Sequence, residues 1–477
     1  MPGRTFLGVL AAALVGGALA GAGDQRARSL PPRPAAPPNV LLIVIDTLRA
    51  DHLGSYGYER DTSPYLDGLA RAGTRFETAR APSSWTGASV ASLLTGLSPL
   101  EHGLEHHNSA LPDAQATMPE AFQKAGYETV AFSANPAFVT PEVGFGQGFD
   151  RFDKLRGKEV PRGTPGDVQW GDAAMQTLVE VATADRVSDT AIAWLRERQT
   201  ERPFFAYLHY FDPHAGYYPP DLYAARFGVP ANAPLRGPAQ KQFIYRHIRD
   251  AGATTPADLA TLVALYDAEI AFTDLQVGRV LLELLARKAG PTIIIVTSDH
   301  GEEFGEHGGL QHSRTLFDEL LHVPLIISGP NVPANATVEA PTSLLDVWPL
   351  LADLTDVPTP SHLRPQSLRQ LIRNPTPHRP FFGDLAVSWG IHTSAVISDS
   401  TKLIIDRADA AALYDLAEDP GERHDTARES PARTEALGAA LRTRRARALT
   451  SPHHSVRAQF VITPARRARL EALGYLE

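Results

Sequence analysis

The sequence predicts an α/β protein: a central, mostly parallel sheet sandwiched by helices, followed by a smaller α+β subdomain at the C-terminal end. Three features of the 477 residues predict it. Continuous apolar runs rich in β-branched residues recur along the chain, as strands covered on both faces require. Helical patterns alternate with them, the order of strand–helix–strand units and hence of parallel pairing. Beyond Pro360 the runs shorten and a charged helix follows, which sets the second unit at 361–477.

Taken in order, the chain opens with MPGRTFLGVLAAALVGGALA, residues 1–20, where Arg4 precedes an apolar run ending in Ala18-Leu19-Ala20. A basic start, an apolar centre and small residues at the end describe a secretory signal peptide, so export to a periplasm or beyond is expected. A membrane anchor is the competing reading, but the run is shorter than the roughly twenty residues of a span, and no second candidate follows. Residues 21–38, rich in Ala, Arg and Pro, read as a linker. The large unit, 39–360, begins with VLLIVID, Val40 to Asp46, a central strand that delivers Asp46 at its carboxyl end. ETVAFSA, PFFAYLHYF, TIIIVTSD and VPLIISG read as further strands, and Ala257 to Ala289 as a long helix before TIIIVTSD. In the smaller unit TSAVISDSTKLII gives short strands and Pro431 to Ala448 a charged helix.

A formal net charge of −9 offers no basic excess for a nucleic-acid backbone. The absence of cysteine excludes disulfides, thiolate metal ligands and a lipid-modified cysteine. The expected partner is a small-molecule or a glycan- or lipid-derived anionic ester.

Ligands of open α/β sheets bind at the carboxyl ends of strands. Three such ends carry chemistry here: Asp46; His209, Asp212 and His214 in LHYFDPH; Asp299 and His300 in TSDHGEEFGEHGG. The stretch SWTGASVASLLTG adds Thr86 where a loop hands over to a helix expected over 88–95. Thr86 is either a nucleophile or, like Ser84, only a cap of that helix. Asp46, Thr86, Asp299 and His300 form a four-ligand set suited to Zn²⁺, with Mn²⁺ or Ca²⁺ as alternatives. Asp212, His214 and His312 would hold a second ion, or bind substrate and protonate a leaving group. His307 and His322 read as surface or packing residues.

NVLLIVIDTLRADHLGSYGY, SSWTGASVASLLTG, HYFDPH, SDHGEEFGEHGG with HVPLII, and ALYDLAEDPGE together resemble the sulfatase-like branch of the alkaline phosphatase superfamily. The resemblance implies an alkaline-phosphatase-like sandwich, a metal at the strand ends held by Asp46, Asp299 and His300, and a nucleophile at Thr86. Sulfatases of this family resemble Cys-x-Pro-x-Arg at the block where this chain has Thr86, Ala88 and Val90, and threonine cannot become formylglycine. His312 stands roughly where such enzymes place a lysine, and Thr47 replaces the second acid of an Asp-Asp pair. A threonine nucleophile with Asp and His ligands resembles instead the family's nucleotide pyrophosphatases and phosphoethanolamine or phosphoglycerol transferases.

The resulting expectation is an exported, metal-dependent ester hydrolase acting on phosphate esters, diesters favoured. Thr86 attacks, His214 or His312 assists the leaving group, and Asn108 and His209 contact substrate. A sulfuric ester hydrolase, a phospho-group transferase and a non-catalytic binding protein are the alternatives. The segments 154–171 and 217–241 carry no motif that names a substrate.

Overall fold

The computed structural model describes residues 36–156, 182–236, 254–373, 379–387 and 391–455, with a few positions between 240 and 247 and between 458 and 470. The expected leader, the expected linker up to residue 35 and the segment from residue 157 to 171 lie outside the described residues.

Eight strands form the central sheet: β1 (Asn39–Ile45), β2 (Thr74–Phe76), β3 (Glu128–Ser133), β4 (Arg151–Lys154), β5 (Phe204–Tyr210), β6 (Thr292–Thr297), β7 (Leu325–Ser328) and β8 (Ala336–Val338). Their spatial order is β8-β2-β7-β6-β1-β5-β3-β4. All pairings are parallel except those of β7, which runs against both β6 and β2. VPLIISG is thus a strand of the expected sheet but a reversed one. Every residue of β1 and β5 is buried, which is why these runs carry no polar alternation.

Helices cover both faces. The longest, Pro256–Ala286, starts at a capping box in which the Thr255 side chain accepts from the Asp258 N–H. It buries three acids, and each has a structural partner: Asp274, for example, accepts from the N–H groups of Tyr65 and Leu66 at the start of helix Pro64–Ala72.

The C-terminal region forms a four-stranded antiparallel sheet of Phe381–Val387, Ile391–Ser398, Thr401–Ile405 and Ala411–Asp415. Helix Pro431–Leu449 packs on it through Leu437 and Leu441 against Val396, Leu403 and Leu413. A buried ion network ties this sheet to the large unit. The Lys402 ammonium lies 3.2 Å from Asp318 and 2.8 Å from Glu422, and Arg80 meets Asp318 with two N–H groups at 3.0 and 2.7 Å. Among the described residues no helix is long and apolar enough to cross a membrane.

Candidate active site

Five side chains converge at the carboxyl edge of the sheet because four central strands end there. Asp46 directly follows β1, Asp299 and His300 follow β6 across Ser298, His209 is the penultimate residue of β5, and Asn135 follows β3. The sixth component comes from helix Thr86–Thr95, all of whose residues are buried. Trp85, extended at φ −135°, is its N-cap, and Thr86 is its first helical residue, two positions earlier than the sequence predicts. Gly87 is required beside it, since a Cβ there would lie 2.7 Å from the Trp85 ring and 2.9 Å from Leu104. Ser89 fixes the helix to the sheet by donating to the Asp299 carbonyl at 2.6 Å.

Thr86 makes no capping hydrogen bond. Its Oγ1 lies 3.2 Å from His300 Nε2. The His300 Nδ1–H donates to the Gly301 carbonyl at 2.9 Å, so the Nε2 lone pair is the one that faces Thr86. Asp299 spends Oδ1 on the N–H groups of Thr47 and His300, at 3.1 and 3.0 Å. Asp46 spends Oδ2 on Asn135 at 2.9 Å and His209 at 3.1 Å. The other oxygens, Asp46 Oδ1 and Asp299 Oδ2, are buried without any hydrogen-bond donor.

Asp46, Asp299 and His300 each bring a ligand atom within 4.8 Å of the others, all three fully buried. Burial and the neighbouring Asp299 charge push the Asp46 carboxyl well above its ordinary value. Burial, the largest single influence, works against the Asp299 charge, but His300, His209, the Thr47 N–H and His312 together outweigh it and hold that carboxyl low. Two orphaned carboxylate oxygens, an imidazole lone pair and a hydroxyl are the donor set of a divalent cation, whose charge removes the conflict between the acids. These residues fit such a metal.

Beside the cluster stands an imidazole stack. The His312 ring centre is 4.4 Å from that of His300 and 4.8 Å from that of His214, which itself stacks on Phe211 at 4.3 Å. Burial lowers the His214 pKa to about 3, with His312 adding to the effect. His312 Nδ1 lies 2.8 Å from Glu302 Oε1, and the Tyr217 hydroxyl donates to Glu302 Oε2 at 3.0 Å. The residues flanking His312, Gln311 and Ser313, both adopt positive φ, 71° and 64°. Ser84 holds this strained turn: its carbonyl accepts from the Ser313 N–H at 2.9 Å and its hydroxyl donates to the Thr315 carbonyl at 2.7 Å.

Several expectations change. Ser84 is a tether for the His312 loop rather than a helix cap. His209 does not face substrate: its Nε2–H donates to Asp46 and its Nδ1 accepts from the Tyr207 hydroxyl at 2.8 Å, so both nitrogens are committed behind the site. Burial lowers its pKa to about 4, which keeps it neutral. Asp212 does not join His214 and His312. It accepts from the Ala184 N–H at 2.7 Å, at the start of helix Ala184–Glu197, and burial pushes its carboxyl up to about 7. Among the described residues the second metal set is therefore not assembled. Asn108 precedes the short strand Ser109–Ala110 and makes no hydrogen bond to Thr86 or the acids among the described residues. Sequence reasoning missed Asn135, Glu302 and Tyr217. The first was findable, since it follows the apolar run ETVAFSA just as Asp46 follows its own.

The family model described as Sulfatase matches residues 38–357. The chain belongs to the sulfatase family. This sulfatase-family chain is 27% identical over 421 residues to the uncharacterized sulfatase YidJ of Escherichia coli, covering 81% of this chain and 82% of that one. It is 26% identical over 486 residues to arylsulfatase K of Bos taurus, covering 92% and 87%. Among solved structures, one in complex with its substrate D-glucosamine-2-N,6-O-disulfate superposes with a TM-score of 0.69 at 22% identity, covering 88% of this chain and 100% of that one. The phosphonate monoester hydrolase of Agrobacterium radiobacter gives 0.66 at 23%, covering 90% and 98%. At these identities the solved structures establish the sulfatase fold, with its large mostly parallel sheet and small C-terminal antiparallel sheet.

Proposed function

We propose that this member of the sulfatase family is an exported, metal-dependent hydrolase of phosphate esters, diesters preferred, with Thr86 as nucleophile. One observation carries the reading: a threonine hydroxyl sits 3.2 Å from the His300 lone pair and opens a buried helix, in a chain with no cysteine to oxidise. Val90, where a formylglycine enzyme resembles arginine, is fully buried among apolar neighbours.

A divalent ion held by Asp46, Thr86, Asp299 and His300 would lower the pKa of the hydroxyl and offset charge on the phosphoryl oxygens. Zn²⁺ suits this nitrogen-and-oxygen set best, with Mn²⁺ next. Thr86 Oγ1 then attacks phosphorus: the Oγ1–P bond forms as the bond to the alcohol breaks. His312, with His214 beside it, passes the threonine proton to the departing alkoxide. In the second half water attacks the phosphorus of the threonine-bound monoester group, the Oγ1–P bond breaks, the water's proton returns through the same imidazole to Oγ1, and a phosphate monoester that keeps the second ester group leaves. Glu302 keeps the His312 ring in one orientation. A threonyl ester of sulfate has no comparable exit, because it lacks the second hydroxyl through which an aldehyde hydrate expels sulfate. The disulfated glucosamine of one structural neighbour supports an anionic glycan or small ester as the substrate class. Export rests on the signal-like residues 1–20.

The relatives' names favour sulfuric esters, and one experiment separates the two. Purified protein loaded with Zn²⁺ or Mn²⁺ is assayed on a matched aryl phosphate diester, monoester and sulfate. The diester should turn over at least about tenfold more efficiently than the sulfate, about 1.4 kcal/mol in barrier. Preference for sulfate overturns the phosphoryl reading. Thr86→Ala should abolish turnover, whereas Thr86→Ser should retain part of it. Near wild-type activity in the alanine variant would remove Thr86 as nucleophile.

A further inference from the structure

A second place on this molecule is arranged for an anion. Helix Thr86–Thr95 ends at Gly96, and the next turn, Pro99–His102, borders an open cleft of about 800 Å³ between the large unit and helix Pro431–Leu449. Ten helical residues at about 1.5 Å each carry the chain roughly 15 Å from Thr86 before the turn that borders the cleft. It is a different site, and nothing in the argument for it depends on the hydrolase reading.

The helix presents one face to the cleft. Ala436, Ala439 and Ala440 recur at helical spacing and form a small-residue floor, and Arg444 and Arg447 continue the same face. Arg364 and Arg379 line the cleft as well. Four guanidinium groups thus meet two lining carboxylates, and both acids already serve the backbone. Glu101 accepts from the Ser98 N–H and hydroxyl at 3.0 and 2.7 Å, and Asp346 from the Ser343 N–H at 2.9 Å. Arg379 pairs with Asp346 at 2.7 Å, and Arg444 with Asp384 behind the wall. Arg364 and Arg447 have no hydrogen bond or ion pair from their guanidinium groups among the described residues. The helix as a whole carries Arg433, Arg442, Arg444, Arg445 and Arg447 against the single acid Glu435, in a chain of net charge −9.

We propose that this cleft binds an acidic oligosaccharide carrying at least two sulfate or phosphate groups, gripped by Arg364 and Arg447 over the alanine floor. Guanidinium forks match the geometry of either oxyanion. The volume is that of a pocket for a ligand of several sugar units.

The test uses the full chain and a fluorescently labelled, size-defined heparin tetrasaccharide, with anisotropy read at two ionic strengths. Tight binding that weakens as salt rises is expected, and Arg364→Ala with Arg447→Ala should weaken it at least tenfold. Both residues are exposed, so folding is spared, and the rate on a small aryl ester should be unchanged. Thr86→Ala should bind the tetrasaccharide as the wild type does. Unaltered affinity in the double arginine variant, loss of binding in Thr86→Ala, or affinity no greater than for inorganic sulfate would each overturn the proposal. So would partition onto vesicles of phosphatidylglycerol without tetrasaccharide binding.

Discussion

Asp46 and Asp299 are the residues on which the proposed chemistry turns, and they stand in mutual conflict. Each commits one oxygen as an acceptor from protein donors and buries the other bare, so ionising both carboxyls side by side out of water is costly. A site of this kind lowers stability until a cation arrives. Asp46→Asn removes one charge while keeping shape, and it should raise the melting temperature of EDTA-treated protein while lowering metal content measured by elemental analysis. A melting temperature that falls in both metal-free and metal-loaded samples would place the cation elsewhere. Thr47, next in the chain, is a β-branched residue at φ 57° with a buried, unpartnered hydroxyl, a further cost carried at this point. That Asp46, Asp299, His300 and Thr86 would meet was legible because strand ends and a loop-to-helix junction are visible as patterns in the sequence. The orientation of His209 was not: whether a strand histidine points at substrate or behind an acid depends on Tyr207 and Asp46, set by side-chain packing rather than by spacing.

At the scale of elements, the segment from Glu302 to His322 does the most work; the motif SDHGEEFGEHGG that leads into it reads in sequence as two ligands, Asp299 and His300, a surface or packing His307, and acids with no assignment. The structure divides them. Glu302 turns inward to His312, whereas His307 turns outward: its Nδ1–H donates to Glu319 at 2.7 Å and its Nε2–H to the Glu422 carbonyl at 3.1 Å. With both nitrogens donating, this ring is an imidazolium and not a ligand, although it lies near Glu303 and Glu319 in a metal-like grouping. Burial opposes the charge, but Glu319 raises the His307 pKa above the ordinary value. The sign follows: its contribution to stability is complete below about 6.5 and is lost as pH climbs through the raised value. Denaturant midpoints measured from pH 6 to pH 9 should therefore fall for the wild type more than for His307→Gln. Parallel curves for the two proteins would show that the ring carries no charge. The reversal of β7 was equally hidden, since an apolar run fully covered on both faces looks the same in either direction.

For the molecule as a whole, the small C-terminal sheet was foreseen from a change of strand length, but not what joins it to the large one, because a lysine in TSAVISDSTKLII gives no hint that it will be buried. Lys402 is fully inaccessible, between Asp318 and Glu422, with Arg80 on the far side of Asp318. Removing one member of a buried charge network typically costs about 3–5 kcal/mol. Lys402→Met should accordingly lower stability by an amount in that range, and calorimetry of the wild type should show one cooperative transition for both units. Two separate transitions would mean that the network does not couple them. The same arrangement governs how this chain can be recombined. Asp318 belongs to the large unit by sequence and draws one of its two cations from the small one, so a cut between them amounts to an uncompensated point mutation at the foot of the His312 loop. A chimera that takes its C-terminal sheet from a relative will inherit function only if Arg80, Asp318, Lys402 and Glu422 travel as one quartet, wherever the crossover is placed.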